Sequence, residues 1–214
     1  MKNKAVIFDL DGVLTDTAKY HLLAWKRLAK EEKLFFNEEI GENLRGLSRE
    51  HSLKYLLQGH RIGKEQAQEM MDRKNYYYQE MTHHITSAHL FEGATGLLIE
   101  LKRNHKKIAV ASTSKNARRV INRLGIADQI DIIADGYDVE KPKPAPDIYF
   151  HVANQLGVRT SDCVVIEDAP VGIVAAKAAG MKVIGIGSVK VIGKADKVVM
   201  HLSDITLDSI SALL

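Results

Sequence analysis

Short apolar runs alternate with amphipathic segments along most of the chain. Five runs are apolar at consecutive positions, which is the pattern of strands buried on both faces of a parallel sheet; they cover residues 5–8, 107–111, 131–134, 163–166 and 182–186. Helical periodicity lies between or after them, at residues 95–103, 116–124, 147–156 and 171–179. This alternation predicts right-handed βαβ units. We therefore predict an α/β fold with a Rossmann-like parallel sheet core and helices on both faces.

The stretch 17–89 interrupts the alternation. It contains helical patterns at 20–32, 48–57 and 64–81, and no convincing strand. We predict an inserted α-helical cap domain at 17–89 and a core domain formed by 1–16 and 90–214. Three consecutive tyrosines, Tyr76 to Tyr78, lie in this insert. Because they are spaced around a helix, we expect packing and solvent-facing roles rather than a stacking platform.

Composition and charge exclude several classes of function. Thirty basic residues against 27 acidic ones give a net charge of +3 without a long basic run. This favours a solvated surface and small anionic ligands, with no nucleic-acid partner. No segment has the length of a membrane span, and the apolar run before Asp9 is too short for a secretory signal. The single cysteine, Cys163, excludes an intramolecular disulfide and favours a cytoplasmic location; we expect it to be a buried, inert thiol.

Polar side chains follow several of the predicted strands. They are Asp9 and Asp11, the segment 112–116, Lys143 in the Lys-Pro-Lys-Pro stretch, and Glu167 with Asp168. Ligands collect at the carboxyl ends of strands in an open parallel sheet, so these groups are expected to converge there. Phosphoryl transfer needs an oxygen nucleophile, cations for the phosphoryl oxygens and a proton donor. Since Mg²⁺ prefers oxygen ligands, the pattern predicts a magnesium-dependent phosphotransferase with Asp9 as nucleophile.

Each motif also has a simpler interpretation. Asp9 to Gly12 can be an ordinary turn or a fragment of a calcium loop, and the segment 112–116 can cap the helix that follows. Lys143 can be a solvated loop lysine, and Glu167 a surface acid beside Asp168. The expected convergence of all four segments is what favours a catalytic site.

The motif Asp9-Leu10-Asp11-Gly12-Val13, followed by Ser112, Lys143 and Glu167-Asp168, resembles the four ordered motifs of the haloacid dehalogenase superfamily. Within that superfamily, five segments resemble the beta-phosphoglucomutase family: residues 15–21, 44–50, 73–75, 112–116 and 167–173. The resemblance implies interconversion of beta-D-glucose 1-phosphate and glucose 6-phosphate. It also implies an aspartyl phosphate on the enzyme, one Mg²⁺ per site, and beta-glucose 1,6-bisphosphate as intermediate and activating phosphoryl donor.

The resemblance assigns roles to individual core residues. Asp9 would be the nucleophile and Asp11 the general acid and base, while Ser112 and Lys143 would hold the transferring phosphate. Magnesium would be held by side chains of Asp9, Asp168 and Glu167 and by the backbone carbonyl of Asp11.

Further roles fall on the cap and on the second motif. Thr17 would lie at the hinge between cap and core, and His21 would tune Asp11 as the cap closes. The second phosphate would be held by Arg49, Ser114, Lys115 and Asn116. Contacts to the bound sugar phosphate would come from Trp25, Ser52, Lys74 and Thr113, the last through its backbone amide.

Simpler interpretations also exist for the cap residues. Arg49 can pair with Glu50 or Glu42 at the surface, and Lys74 can belong to a solvated charged face. His21 and Trp25 share a helix face and can be core residues.

Two other functions compete with the mutase. One is a sugar-phosphate phosphatase of the same superfamily, and the other is a non-catalytic phosphate-sensing protein. For the mutase we expect small-molecule sugar phosphates as ligands and a monomeric protein.

Overall fold

Six parallel strands form the central sheet in the order β3-β2-β1-β4-β5-β6, in a computed structural model that describes residues 4–214. The strands are β1 (Ala5–Phe8), β2 (Lys107–Ala111), β3 (Ile132–Ala134), β4 (Cys163–Glu167), β5 (Lys182–Ile186) and β6 (Lys197–Val199). The predicted α/β class and parallel sheet are confirmed. Residues 1–3, which the core-domain prediction includes, lie outside the described residues.

Ten α-helices accompany the sheet in the described part of the chain. Four belong to the stretch between β1 and β2 that was predicted to be helical: α1 (Ala18–Glu31), α2 (Glu38–Asn43), α3 (Arg49–Leu56) and α4 (Lys64–Thr82). The others are α5 (Ala94–Arg103), α6 (Ala117–Leu124), α7 (Asp147–Leu156), α8 (Pro170–Ala178), α9 (Val189–Ile192) and α10 (Leu207–Ser211). None of the helices within residues 4–214 has both the length and the apolar character needed to cross a membrane.

The apolar runs correctly predict β1 to β5. They do not predict β6, a three-residue strand that pairs with β5 from Ile184↔Lys197 onwards, because only two of its residues are apolar, whereas all three residues of the equally short β3 are. The pattern also does not predict α2, in which only Ile40 and Gly41 are buried. Asn37 caps the N-terminus of this helix, since its side chain accepts a hydrogen bond from the Ile40 amide. Two corrections affect the site region. Glu167 is the last residue of β4 rather than the first after it, and α6 begins after Asn116.

Side chains alternate across the sheet and divide the core into two layers. Val6 and Phe8 of β1 face a layer that contains residues of α5, α6 and α10, whereas Ala5 and Ile7 face a layer that contains residues of α7 and α8. Cys163 lies in the second layer, and burial raises the pKa of its thiol to about 12, as expected of an inert cysteine. The sheet is therefore covered by helices on both faces.

The cap has an apolar core of its own, which includes Trp25, Leu28, Leu56 and Met70. Its helix α4 carries the three tyrosines, of which Tyr77 and Tyr78 are buried while Tyr76 is 57% exposed, as predicted.

The chain enters and leaves the cap at adjacent points. The Thr15 hydroxyl donates to the His89 carbonyl at 2.7 Å, and the Phe91 amide donates to the Leu14 carbonyl at 2.9 Å. Both connections thus lie side by side next to β1. The exact domain boundaries at 16/17 and 89/90 stay a prediction.

Replacing Leu28 with alanine is expected to lower the free energy of unfolding by about 2–5 kcal/mol, because its side chain is completely buried in the cap core. Leu23, on the same helix, is 46% exposed, so Leu23→Ala is the matched control and should change stability by less than about 0.5 kcal/mol. Guanidinium unfolding measures both values. Equal losses would contradict the packing described here.

Candidate active site

The Lys143 ammonium occupies the centre of the polar cluster at the carboxyl edge of the sheet. Its Nζ lies 2.7 Å from Asp9 Oδ1, 2.8 Å from Glu167 Oε2 and 3.0 Å from the Ala111 carbonyl. Asp9 directly follows β1, and Glu167 ends the neighbouring strand β4. Lys143 and Glu167 are each only 1% exposed, so neither is the solvated surface residue of the simpler interpretation. Segments distant in the sequence therefore do converge.

Both carboxylate oxygens of Glu167 are engaged. Oε2 also accepts the Tyr149 hydroxyl at 3.0 Å, and Oε1 accepts the Ala169 amide at 3.1 Å. The side chain folds closely over Gly172, where a Cβ would lie 2.1 Å from Glu167 Cδ. Glycine at 172 therefore allows the first turn of α8 to approach this carboxylate.

Asp11 lies beside Asp9 with its carboxylate turned towards the cap. Its amide donates to Asp9 Oδ2 at 3.0 Å, and the Ser112 hydroxyl donates to Asp11 Oδ2 at 3.2 Å. Asp11 Oδ1 lies 3.5 Å from His21 Nε2. Burial raises the pKa of Asp11, but the charge and hydrogen bonding of His21 outweigh it, and the pKa is lowered overall. A cap histidine thus acts directly on a core carboxylate.

Three carboxylates form the strongest concentration of negative charge. One oxygen from each of Asp9, Glu167 and Asp168 lies within 4.8 Å of the other two. Burial and the neighbouring charge of Glu167 raise the pKa of Asp9 well above its usual range, against the opposing effect of Lys143. The same two causes raise the pKa of Asp168 to about 6. These crowded oxygen donors fit a hard divalent cation such as Mg²⁺, which would relieve their mutual repulsion.

A cap arginine reaches the same cluster. Arg45, in the loop between α2 and α3, places Nη2 2.5 Å from Asp168 Oδ2. Asp168 can take this position because Gly12, with a φ of +101°, has no side chain; a Cβ there would lie 2.1 Å from the same oxygen.

The buried ammonium of Lys74 is the main polar feature of the cap interior. Its side chain is 3% exposed, so the interpretation as a solvated charged face is wrong. Nζ lies 2.7 Å from His21 Nδ1 and above the rings of Trp25 and Tyr78, at 5.0 and 5.4 Å from their centroids. Burial, reinforced by the nearby charge of Arg49, lowers the pKa of Lys74 to about 7. His21 is half-buried and stacks on Tyr78, with the two ring centroids 3.9 Å apart.

The residues expected to hold a second phosphate lie where cap and core meet. Arg49 Nη2 donates to Asn75 Oδ1 at 2.9 Å rather than pairing with Glu50 or Glu42 as in the surface interpretation. Lys115 instead pairs with Glu50, at 2.9 Å. The Ser114 amide donates to the Ser112 hydroxyl at 3.0 Å. Asn116 precedes α6, but its side chain does not cap that helix, so the capping interpretation fails for this residue.

A cavity of about 190 Å³ lies between the cap and the core. Ten of the predicted site residues line it: Asp9, Asp11, His21, Trp25, Arg49, Ser52, Lys74, Thr113, Ser114 and Lys115. Ser112, Lys143 and Glu167 lie behind Asp9 and Asp11 and contact them or each other, whereas Asp168 opens onto an adjoining cleft. Thr17 is fully buried at the start of α1. The side chain of Asn116 bonds to Asn75 and Gln79 of the cap.

Comparison with known proteins identifies the family. Residues 6–186 match the family model described as haloacid dehalogenase-like hydrolase. The chain belongs to this family. It is 44% identical to a beta-phosphoglucomutase of Bacillus subtilis (strain 168), over 96% of this chain and 92% of that protein. The crystal structure of a beta-phosphoglucomutase from Clostridium difficile superposes with a TM-score of 0.95 at 38% identity, covering 99% and 96% of the two chains.

Relatives with a different name also occur in this family. A protein of Thermotoga maritima named phosphorylated carbohydrates phosphatase is 30% identical over 84% of this chain and 82% of its own length. The chain is thus an enzyme of the haloacid dehalogenase-like family, and both mutase and phosphatase names occur among its relatives.

The sequence motifs assign no catalytic or binding role to four residues that lie near the site: Arg45, Glu50, Asn75 and Tyr149. Arg45 and Glu50 belong to the cap loop segment that carries the family resemblance. The resemblance marks the segment, but it does not indicate which core residues these two side chains contact. Asn75 follows Lys74 in another such segment. No sequence pattern marks Tyr149, because it occupies an ordinary apolar position of α7. Only the structure shows that its hydroxyl donates a hydrogen bond to Glu167.

Replacing Lys74 with methionine is expected to raise the free energy of unfolding at pH 6 by about 1–4 kcal/mol, because a buried ammonium is replaced by an apolar chain. The pKa of Lys74 is about 7 in the folded protein and 10.5 when exposed, so the unfolded chain binds more protons between these values. Wild-type stability therefore rises with pH across that window. The difference in the free energy of unfolding between Lys74→Met and the wild type should therefore become smaller as the pH rises.

Urea unfolding at pH 6 and pH 9 measures this difference. Lys64→Met, at the exposed first position of the same helix, is the control and should show no comparable gain. A gain for Lys74→Met that does not change with pH would contradict the assignment.

Proposed function

We propose that this enzyme is a beta-phosphoglucomutase that interconverts beta-D-glucose 1-phosphate and glucose 6-phosphate. The observation that carries the proposal is one cavity between cap and core that is lined by the nucleophile and by further phosphate-binding groups. Asp9, which is bonded to Lys143, lines it, and so do Arg49, Ser114 and Lys115. A mutase must hold a reacting and a non-reacting phosphate at once, on opposite ends of one sugar. The named mutase relatives support the same reading.

Asp9 is the proposed nucleophile. In the phosphorylated enzyme, the sugar 6-hydroxyl of beta-glucose 1-phosphate attacks the phosphorus. The new phosphorus–oxygen bond forms as the bond to Asp9 breaks, and Asp11 takes the hydroxyl proton. The beta-glucose 1,6-bisphosphate so formed turns over in the cavity. Asp9 then attacks its other phosphate, Asp11 returns the proton to the leaving sugar oxygen, and glucose 6-phosphate is released. Bisphosphate from solution would prime Asp9 for the first turnover.

The remaining core residues are proposed to neutralise the charge of the transferring phosphoryl group and to position it. Lys143 and the Ser112 hydroxyl are proposed to hold the oxygens of the transferring phosphoryl group once they turn from Asp9 and Asp11 towards it. Asp9, Asp168, Glu167 and the Asp11 carbonyl are the proposed magnesium ligands, and Glu167 also holds Lys143. When bound, the metal neutralises negative charge on the phosphoryl group.

The cap is proposed to recognise the sugar and exclude water. His21, Trp25, Ser52 and Lys74 line the cap side of the cavity, and the backbone at Thr113 lines the core side. Thr17 lies between β1 and α1, where we propose the hinge. Closure keeps water from the phosphorylated Asp9, which would otherwise be hydrolysed. We further propose a monomeric enzyme with a core at 1–16 and 90–214 and a cap at 17–89.

A sugar-phosphate phosphatase is the second candidate, favoured by the Thermotoga maritima relative. It would share Asp9, Asp11, Ser112, Lys143 and Asp168, so these residues do not separate the two functions. The cap-borne Arg49 and Lys74, which face the same cavity, favour the mutase.

Purified protein with Mg²⁺ and a trace of glucose 1,6-bisphosphate is expected to convert beta-glucose 1-phosphate into glucose 6-phosphate faster than it releases inorganic phosphate. A dehydrogenase-coupled assay measures the isomerisation, and a colorimetric assay measures the phosphate. Asp9→Asn should lose at least about 10³-fold in turnover, because an amide does not form the phosphoenzyme. Phosphate release that outpaces isomerisation would identify a phosphatase instead.

Arg49→Lys is expected to lower kcat/KM for isomerisation by about 10- to 100-fold while leaving hydrolysis of a simple aryl phosphate within about threefold of wild type. A point charge does not reproduce the planar fork that binds a phosphate bidentately, and an aryl phosphate has no second phosphate to hold. Parallel kinetics with both substrates test this. Similar losses in both assays would remove Arg49 from the second phosphate site.

A further inference from the structure

Helix α4 of the cap holds the side chain of the core residue Asn116 through two hydrogen bonds. Asn116 Nδ2 donates to Asn75 Oδ1 at 3.0 Å, and Gln79 Nε2 donates to Asn116 Oδ1 at 3.1 Å. Asn75 and Gln79 are four residues apart and therefore lie on the same face of the helix. Both ends of the Asn116 amide are thus bonded to the cap. Its side chain, which is buried, is turned towards α4.

The same acceptor oxygen also holds Arg49. Arg49 Nη2 donates to Asn75 Oδ1 at 2.9 Å, so Oδ1 receives one hydrogen bond from the α3 guanidinium and one from the core. A carbonyl oxygen has two lone pairs, and here both are used. Arg49, Ser114 and Lys115 line the cavity. Asn75 and Asn116 do not line it: Asn75 bonds to Arg49, and Asn116 bonds to Asn75.

This geometry makes the direction of Arg49 depend on closure. A guanidinium on a long flexible side chain loses rotamer entropy when it is ordered. Asn75 holds one of its nitrogens, which leaves the other donors of the fork free for an anion in the cavity. The core amide of Asn116 reaches Asn75 only with cap and core together, and it then fixes the oxygen on which Arg49 rests.

We propose that Asn75 is a positioning residue that aims Arg49 at the second phosphate when the cap closes on Asn116. The proposal rests on the proposed mutase function, and it gives Asn116 an indirect role through the cap. Asn75 touches no reacting atom. Its effect on catalysis passes entirely through the orientation of Arg49.

Asn75→Ala is expected to lower kcat/KM for isomerisation of beta-glucose 1-phosphate by about 10- to 100-fold, because a displaced guanidinium no longer meets the phosphate in a bidentate geometry. Hydrolysis of an aryl phosphate should stay within about threefold of wild type, because it needs no second phosphate. Gln68→Ala is the matched control on the same helix: Gln68 is exposed and bonds to Asp72. It should change neither activity.

A double-mutant cycle separates positioning from general damage. If Asn75 acts through Arg49, then Asn75→Ala should cost less than about threefold in isomerisation when Arg49 is already alanine. Full additivity of the two losses, or equal loss of both activities in the Asn75→Ala variant, would overturn the proposal.

Ligand binding provides a readout that needs no turnover. In the Asp9→Asn background, calorimetry should show glucose 6-phosphate binding about tenfold more weakly after Asn75→Ala. Unchanged affinity would also overturn the role of Asn75. Failure of the mutase proposal looks different: the wild-type enzyme then does not isomerise beta-glucose 1-phosphate at all, while the binding comparison still tests Asn75.

Discussion

The ammonium of Lys143 between Asp9 and Glu167 is the interaction on which the site depends. Two buried carboxylates at the ends of adjacent strands repel each other, and removing their shared cation would leave uncompensated charge at a cost of about 3–5 kcal/mol. The Ala111 carbonyl and the Tyr149 hydroxyl complete this arrangement. Because a buried cation needs several fixed acceptors, β1, β2, β4 and α7 all have to be correctly placed before the nucleophile is.

Chemistry and recognition are divided between the two parts of the molecule. The sheet edge supplies carboxylates, an ammonium and a hydroxyl that suit phosphoryl transfer in general. The cap supplies Arg49 and Lys74, cations that face the same small cavity from the other side. This division explains how relatives named as mutases and as a phosphatase can share one family. The core chemistry is common to both, and the contacts from the cap decide what is held beside it.

Polar contacts between cap and core residues hold the cap in its closed position. Arg45 reaches Asp168, Glu50 reaches Lys115, and Asn75 reaches Asn116. In each pair a cap residue bonds to a core residue that belongs to the site or lies directly behind it. Closing the cap and arranging the site are therefore the same physical event. Since such contacts are partly solvated and individually weak, they can form and break during a catalytic cycle without a large energetic penalty.

The sequence by itself determined the parallel sheet, the helical insert and the positions of Asp9 and Glu167 at strand ends, because apolar periodicity and the points where it stops are local properties of the chain. It did not determine β6, in which only two of the three residues are apolar. Nor did it reveal that Lys74 is buried or that the side chain of Asn116 is bonded to the cap. A charged or amide side chain looks the same in sequence whether it faces water or a partner some forty residues away. Only the packing of cap against core decides that, because burial and hydrogen-bond partners are set by neighbours distant along the chain.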